Sequence, residues 1–349
     1  MPRLLHYAFI LLALLCGISD PSLAGPRRNR PATTIQASIS NNGLAIVSSP
    51  GGARVLSAPK GMRKLNVRRN ERLVAVEETK DGLVAAGIRD RGSESRLVFL
   101  ESGPSGRRRL PAPAGPDALR RRPILLMDDG ELVATAWLEG PDSRGLRVKV
   151  ADWDGSRWGP VTTVSRPSEG SQTGLTGTVL RDGSTLLMWS QFDGTDDEIL
   201  FSWRQSVNWS YPERVSVDNR NPDVAPSVSF TRKGALAAWS RFDGSTYRLW
   251  TARFDSGLWR QEQLVGESGS LFPQLLQRQD GLYLLYRSSS SPRGWSIRRT
   301  TGNARGEYAS FVAAETSSPP VLSVSSEASI TLAWPQDQRR VKTRLELLP

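Results

Sequence analysis

Short apolar runs alternate with polar turns along this chain, and the pattern repeats about every 50 residues. The clearest copies read LVATAW ending at Trp137, STLLMW at Trp189, ALAAW at Trp239, LYLLY at Tyr286 and ITLAW at Trp334, in steps of 52, 50, 47 and 48 residues. Weaker copies fall at Gly87 in LVAAG and at Ser48 in LAIVS. Within each repeat a first apolar strand, often entered by a proline (Pro123, Pro226, Pro273, Pro320), leads to a tight turn. The turns are Asn42-Gly43, Asp81-Gly82, Asp129-Gly130, Asp182-Gly183, Lys233-Gly234 and Asp280-Gly281. Such dipeptides suit the positive φ angles of a type I′ hairpin. The second strand, rich in Ala, Leu, Val and Trp, reads as covered on both faces.

A third, alternating strand follows, as in Tyr247-Arg248-Leu249-Trp250-Thr251-Ala252-Arg253. A fourth is marked by Trp158, Trp209 and Trp259, which are 51 and 50 residues apart. No helix-period segment competes beyond the N-terminal leader. The pattern predicts an all-β chain, a β-propeller of four-stranded antiparallel blades, with seven blades favoured and six the alternative. The last repeat stops after its third strand, so the N-terminal segment is a candidate to close the ring. Tryptophans that recur in every repeat belong to blade packing, which assigns Trp137, Trp189, Trp239 and Trp334 to the core.

Composition narrows the chemistry. Arg3, the apolar run Leu4 to Ile18 and the small-x-small Ser22-Leu23-Ala24 predict a cleaved signal peptide over residues 1–24. A flexible basic tail over 25–32 and one propeller domain over 33–349 follow. Leu15 before Cys16 departs from a lipobox, and no apolar stretch is long enough for a membrane span. The expected product is exported, periplasmic or extracellular, and monomeric. Its single cysteine, Cys16, and single histidine, His6, both lie in the leader. The remaining chain can therefore form no internal disulfide, no Cys/His zinc site and no Ser-His-Asp triad. We expect no cofactor and assign no metal ligand. The net charge of +11 rests on 40 arginines and six lysines. A GC-rich bacterial coding bias accounts for that imbalance. The basic clusters Arg27-Arg28, Arg107-Arg108-Arg109 and Arg120-Arg121-Arg122 read as solvated loops and tail. An acidic partner is compatible with this charge, whereas no nucleic-acid module is present.

Three segments, ADWDGSRWGPVTTVS, RFDSGLWRQEQLV and the stretch from SVDNRNPDVAPSVSF to ALAAWSRFDG, carry a family resemblance. They resemble bacterial propellers of the sialidase-like type with degenerate Asp-box turns. Asp255 and Gly257 keep the central acid and glycine of that turn, and Trp259 arrives one position early. The sialidase catalytic set is not matched: Arg122-Pro123-Ile124 has the right residue types in the wrong order and the wrong repeat. The resemblance implies the fold and no catalytic residues.

In a four-stranded blade the second-to-third-strand loops and the blade-to-blade loops share one face. That geometry selects Arg89, Asp90, Glu139, Asp193, Arg241, Asp243, Arg287 and Asp337 as candidate ligand-binding residues. Arg89, Arg241 and Arg287 would suit a carboxylate or sulfate. The acids would suit sugar hydroxyls, or one pair could serve as acid and base. Asp193, Asp196, Asp197 and Glu198 form an acidic knot that calcium would favour, without EF-hand spacing. The non-repeating aromatics Phe192, Trp203, Tyr211, Phe242 and Tyr247 are further ligand candidates. The expected role is a non-catalytic binding or scaffolding propeller of the bacterial cell envelope, engaging a protein partner or an anionic surface polysaccharide. A sialidase-like glycoside hydrolase is the alternative.

Overall fold

The computed structural model describes residues 36–39, 45–49, 52–57, 61–166, 170, 172–216, 219–278, 281–288, 294–300, 321–324, 329–335 and 341–347. The predicted leader and basic tail, the Asn42-Gly43 turn, Pro320 and Asp337 lie outside them. The described strands form seven antiparallel sheets, and no helix occurs among the described residues.

The first sheet joins β1 (Gln36–Ile39), β2 (Ala45–Ser49), β3 (Gly52–Ser57) and β4 (Gly61–Leu65). The second holds β5 (Glu71–Thr79), β6 (Gly82–Arg91), β7 (Glu94–Gly103) and β8 (Gly106–Leu110). The third holds β9 (Leu119–Asp128), β10 (Glu131–Gly140), β11 (Arg147–Asp152) and β12 (Thr162–Thr163). The fourth holds β13 (Gln172–Val179), β14 (Thr185–Phe192), β15 (Asp197–Arg204) and β16 (Glu213–Arg214). The fifth holds β17 (Asp223–Thr231), β18 (Gly234–Phe242), β19 (Tyr247–Asp255) and β20 (Leu258–Leu264). The sixth and seventh have three described strands each: β21 (Leu271–Arg278), β22 (Gly281–Ser288) and β23 (Gly294–Thr300), then β24 (Val321–Val324), β25 (Ser329–Pro335) and β26 (Val341–Leu347).

First strands lie side by side around the molecule. β1 meets β5, β5 meets β9, β9 meets β13, β13 meets β17, β17 meets β21, and β24 returns to β1 and β2. The fold is a β-propeller, an arrangement whose closure hides the sheet edges that an open stack would expose. The N-terminal strand β1 heads the first sheet; among the described strands it does not complete the seventh.

The core is a set of layers between neighbouring sheets. Trp137 packs against the second sheet, Trp189 against the third, Trp239 against the fourth and Tyr286 against the fifth. Each of these aromatics is at most 1% exposed. Truncating one to alanine in such a site costs about 3–5 kcal/mol. The side chain of Trp334 lies outside the described residues. The expectation of doubly covered second strands holds, because β14 and β18 are buried along most of their length on both faces.

Each aromatic sits opposite a β-bulge. Two first-strand residues face the single aromatic: Arg122 and Pro123 face Trp137, Gly174 and Leu175 face Trp189, Ala225 and Pro226 face Trp239, and Phe272 and Pro273 face Tyr286. The first residue of each pair is left-handed, with φ of 46°, 59°, 56° and 57° respectively. The prolines Pro123, Pro226 and Pro273 thus lie inside first strands at bulges and do not open them, because a bulge frees the ring from donating to the ladder. In the second sheet Gly87 replaces the aromatic, and a Cβ there would overlap the Arg72 carbonyl.

The turns and fourth strands also differ from expectation. Among the described residues, only the Asp129-Gly130 turn has both φ angles positive, 44° and 76°. At Lys80-Asp81 the pairing of Thr79 with Gly82 puts the two-residue loop one position earlier. β12 and β16 are two residues long because Pro160 and Pro212 follow Trp158 and Trp209, which make single bridges instead. No proline interrupts β20, and it runs seven residues. The arginine clusters 107–109 and 120–122 lie on strands β8 and β9, not on loops.

Candidate functional site

In the second to fifth sheets the start of the first strand and the end of the second strand meet at the loop-bearing face, and a polar pair bridges them. Glu71 pairs in register with Arg89, Arg120 with Glu139, Gln172 with Gln191 and Asp223 with Arg241. In the second sheet Glu71 is fully buried. Arg89 Nε and Nη2 donate to its Oε1 at 2.9 and 2.5 Å, Arg109 Nη2 donates to Oε2 at 2.7 Å, and the Arg68 N–H donates at 2.9 Å. Burial alone would raise the Glu71 pKa. The Arg109, Arg68 and Arg89 donors outweigh it and hold the pKa at about 2.

The third sheet reverses the charges. Arg120 Nε donates to Glu139 Oε2 at 2.7 Å, and Trp137 Nε1 donates to the same oxygen at 2.9 Å. In the fourth sheet Trp189 Nε1 donates to Gln191 Oε1 at 3.2 Å. In the fifth sheet Arg241 makes a fork to Asp223, at 2.7 and 2.8 Å, and reaches Glu262 at 2.7 Å. Arginine has no acceptor to offer, so among the described residues the buried Trp239 Nε1 has no hydrogen-bond partner. Its ring instead lies 5.7 Å from the Arg241 guanidinium carbon.

These pairs contain three of the eight sequence-derived candidates. Arg89, Glu139 and Arg241 lie on strand ends, each bonded within its own blade, and not on loops. Asp90 ends the same strand as Arg89 and accepts from Arg72 at 3.0 Å, with Arg121 at 3.9 Å. Arg287, near the end of β22, is in register with Leu271 and Trp295, so no acid stands at the Glu71 position of that sheet. The structure does not bring Arg89 and Arg241 together, because they belong to different sheets with their own acids. Sequence reasoning missed Glu71, Asp223, Arg109 and Arg214. For Glu71 and Asp223 the signal is a polar residue 18 or 19 positions before the second-strand polar residue, present at Glu71/Arg89, Arg120/Glu139, Gln172/Gln191 and Asp223/Arg241, whereas Arg109 and Arg214 on fourth strands carry no such spacing.

Asp193 and Asp243 do lie on second-to-third-strand loops. Asp193 Oδ1 accepts from Thr195 N at 2.8 Å and Asp196 N at 3.2 Å, and Oδ2 accepts from Arg214 at 2.6 Å. Beside it, Asp196 and Glu198 are buried. Oxygens of Asp193, Asp196 and Glu198 lie within 4.8 Å of one another. Burial, then the charges of Asp223 and Asp196, push the Glu198 carboxyl up to about 8. Burial, then Asp196 and Asp193, push Asp197 up to about 6. Tyr247, raised by burial and by the nearby Asp197, packs on Phe242 with ring centres 5.2 Å apart. Trp203 is elsewhere, against Phe254 at the opposite end of the blades. Tyr211 is 51% exposed.

No protein-family model and no curated protein sequence matches the chain. Solved structures do share its fold. A protein of unknown function from Dyadobacter fermentans aligns with a TM-score of 0.56 at 14% identity, over 79% of this chain and 94% of its own. Oligogalacturonate lyase in complex with manganese aligns with a TM-score of 0.57 at 10% identity, over 90% and 88%. The polysaccharide lyase Uly1 aligns with a TM-score of 0.55 at 8% identity, over 92% and 90%. At these identities the likeness defines a β-propeller and no activity. Among the described residues no helix is long and apolar enough to cross a membrane.

Proposed function

We propose that this chain is an exported, non-catalytic propeller of a bacterial cell envelope that holds an anionic polysaccharide on its loop-bearing face. The observation that carries this reading is the pair Arg72 and Arg121, on adjacent first strands, sharing the one acid Asp90. Burial and the neighbouring Arg72 charge work against the protonated form of Arg121, with Asp90 opposing them. The pair is partly exposed and has one positive charge in excess, which a carboxylate or sulfate would neutralise. Two further considerations favour this over the glycoside hydrolase. Glu139 and Asp243 already accept hydrogen bonds from within their own sheets. Glu198, whose carboxyl is pushed up to about 8 by burial and neighbouring acids, is fully buried and out of reach of a substrate. The polysaccharide lyases of the same fold, one of them solved with a -[GlcA(1-4)Rha3S]- chain, are consistent with a sugar ligand.

Binding of the purified chain to immobilised uronate-rich, sulfated and neutral polysaccharides tests the proposal. Acidic polymers should bind with an affinity that falls steeply with salt. The double substitution Arg72→Gln, Arg121→Gln should weaken binding by about tenfold or more. Equal binding of neutral polymers, or cleavage of any of them, would overturn it.

A further inference from the structure

We propose that Asp193, Asp196 and Glu198 form a calcium site at the turn of the β14–β15 hairpin. One oxygen from each of the three residues lies within 4.8 Å of the others. Calcium holds oxygen ligands at about 2.3–2.6 Å, so two ligands on one ion stand up to about 5 Å apart. Clustered acids alone are common on surfaces; Glu198 is what separates this group from them. It is fully buried, and neither carboxylate oxygen has a hydrogen-bond partner among the described residues. The favourable influences nearby are the Arg214 charge and the Asn219 backbone amide, and both are outweighed by burial and by the charges of Asp223 and Asp196. A buried ionised carboxylate with no donor is costly and ordinarily either takes up a proton or coordinates a cation. Asp193 supports the second outcome. Its three acceptor bonds leave one of a carboxylate's roughly four lone-pair positions open.

The donor set selects the ion. All three ligands are carboxylates, and no histidine or cysteine occurs beyond position 16. Hard oxygen-binding cations fit such a set, and zinc or copper do not. Magnesium keeps several waters in a strict octahedron, which a fully buried Glu198 does not favour, whereas calcium accepts irregular geometry. A bound ion would tie the hairpin loop to strand β15 and neutralise the acids that crowd Glu198. This site is separate from the Arg72–Arg121 pair and does not depend on the polysaccharide reading.

Calorimetric titration of the chelator-treated chain with Ca²⁺ tests the site, alongside thermal melts with and without the ion. One saturable site is expected, with a dissociation constant of about 10⁻⁴–10⁻³ M or tighter. Glu198→Gln keeps the shape and removes the charge. It should weaken Ca²⁺ by about 30-fold or more and melt in chelator no lower than the parent, which separates lost coordination from lost fold. Asp243→Asn, in the neighbouring hairpin, should leave Ca²⁺ affinity unchanged. No saturable heat up to about 10 mM Ca²⁺, a range well above that of weak extracellular sites, would overturn the proposal. Binding that survives Glu198→Gln would do so equally.

Discussion

Two neighbouring hairpins share a backbone and differ in charge. The β14–β15 turn reads Phe192-Asp193-Gly194-Thr195-Asp196-Asp197-Glu198, and the β18–β19 turn reads Phe242-Asp243-Gly244-Ser245-Thr246-Tyr247-Arg248. Both aspartates cap the turn through the amides two and three residues on. Both donate their own N–H to the carbonyl three residues on, at 3.0 and 2.9 Å. Both glycines are left-handed, with φ of 108° and 96°. The registers also match: Phe192 pairs with Asp197 as Phe242 pairs with Tyr247, and Gln191 with Glu198 as Arg241 with Arg248. In the fifth sheet Arg248 donates to Asp243 at 2.8 Å, so the turn is neutralised locally. In the fourth, the same position is Glu198, and the arginine must come from β16 as Arg214. A turn motif therefore fixes backbone geometry, and the three residues after it decide whether the hairpin is self-contained or carries excess negative charge.

Exchanging those three residues should break the difference most completely. Asp196→Thr, Asp197→Tyr and Glu198→Arg together should abolish Ca²⁺ binding, a loss of more than about 100-fold by calorimetry. Retained affinity would mean that the acids are not ligands.

The acidic hairpin should also set the pH response. Glu198 and Asp197 have folded pKa values raised to about 8 and about 6, above their unfolded values. The unfolded chain therefore releases their protons first, and stability falls as pH rises from the ordinary carboxylate range toward 8. In chelator, the melting temperature should drop by several degrees over that interval, less so in Glu198→Gln, and Ca²⁺ at pH 8 should restore it. Glu71 acts in the opposite direction. With its folded pKa lowered to about 2, its contribution is present above its unfolded pKa and is lost as pH falls toward 2. A melting temperature that is flat from pH 4.5 to pH 8 in chelator would contradict the buried-acid account.

The two arginines should differ as well. Arg214→Ala strips the counter-charge from a crowded acidic group and should cost about 1–2 kcal/mol without Ca²⁺. Arg248→Ala removes a half-exposed pair and should cost less than about 1 kcal/mol. Equal costs in urea denaturation would erase the distinction. The smallest effect concerns the bulges of the same two sheets. Gly174 occupies the left-handed position in one and Ala225 in the other. Ala225→Gly relieves a strained alanine at some cost in unfolded-chain entropy, for a net gain of about 0.5 kcal/mol. A lower melting temperature would show that the Ala225 methyl contributes packing there.

Much of the architecture was legible because it is local or periodic. Alternation, Asp-Gly turns and an aromatic every 50 residues or so are read from neighbours in the chain, and they mark strands and their covered faces. The acidic knot was visible for the same reason, since its members are adjacent. Pro123, Pro226 and Pro273 misled. Read as strand openers, they proved to sit inside first strands, where a bulge facing the aromatic spares them a ladder bond. Arg89, Glu139 and Arg241 were legible as residues near the right face, but not as occupied ones. Glu71 receives Arg89 from 18 positions away and Arg109 from 38, and no local pattern announces such partners.

The amino-acid order alone thus determined a repeating all-β chain, the core places of Trp137, Trp189 and Trp239 and the face on which its polar ends gather. Short-range sterics and hydrophobic period act within a few residues and need no knowledge of how the sheets assemble. Which charges cancel and which are left over was decided only when register and blade stacking brought distant side chains together. Electrostatic energy depends on separation and burial in space, so Glu71 inside its cage of donors and Glu198 without one look alike until the sheets are assembled.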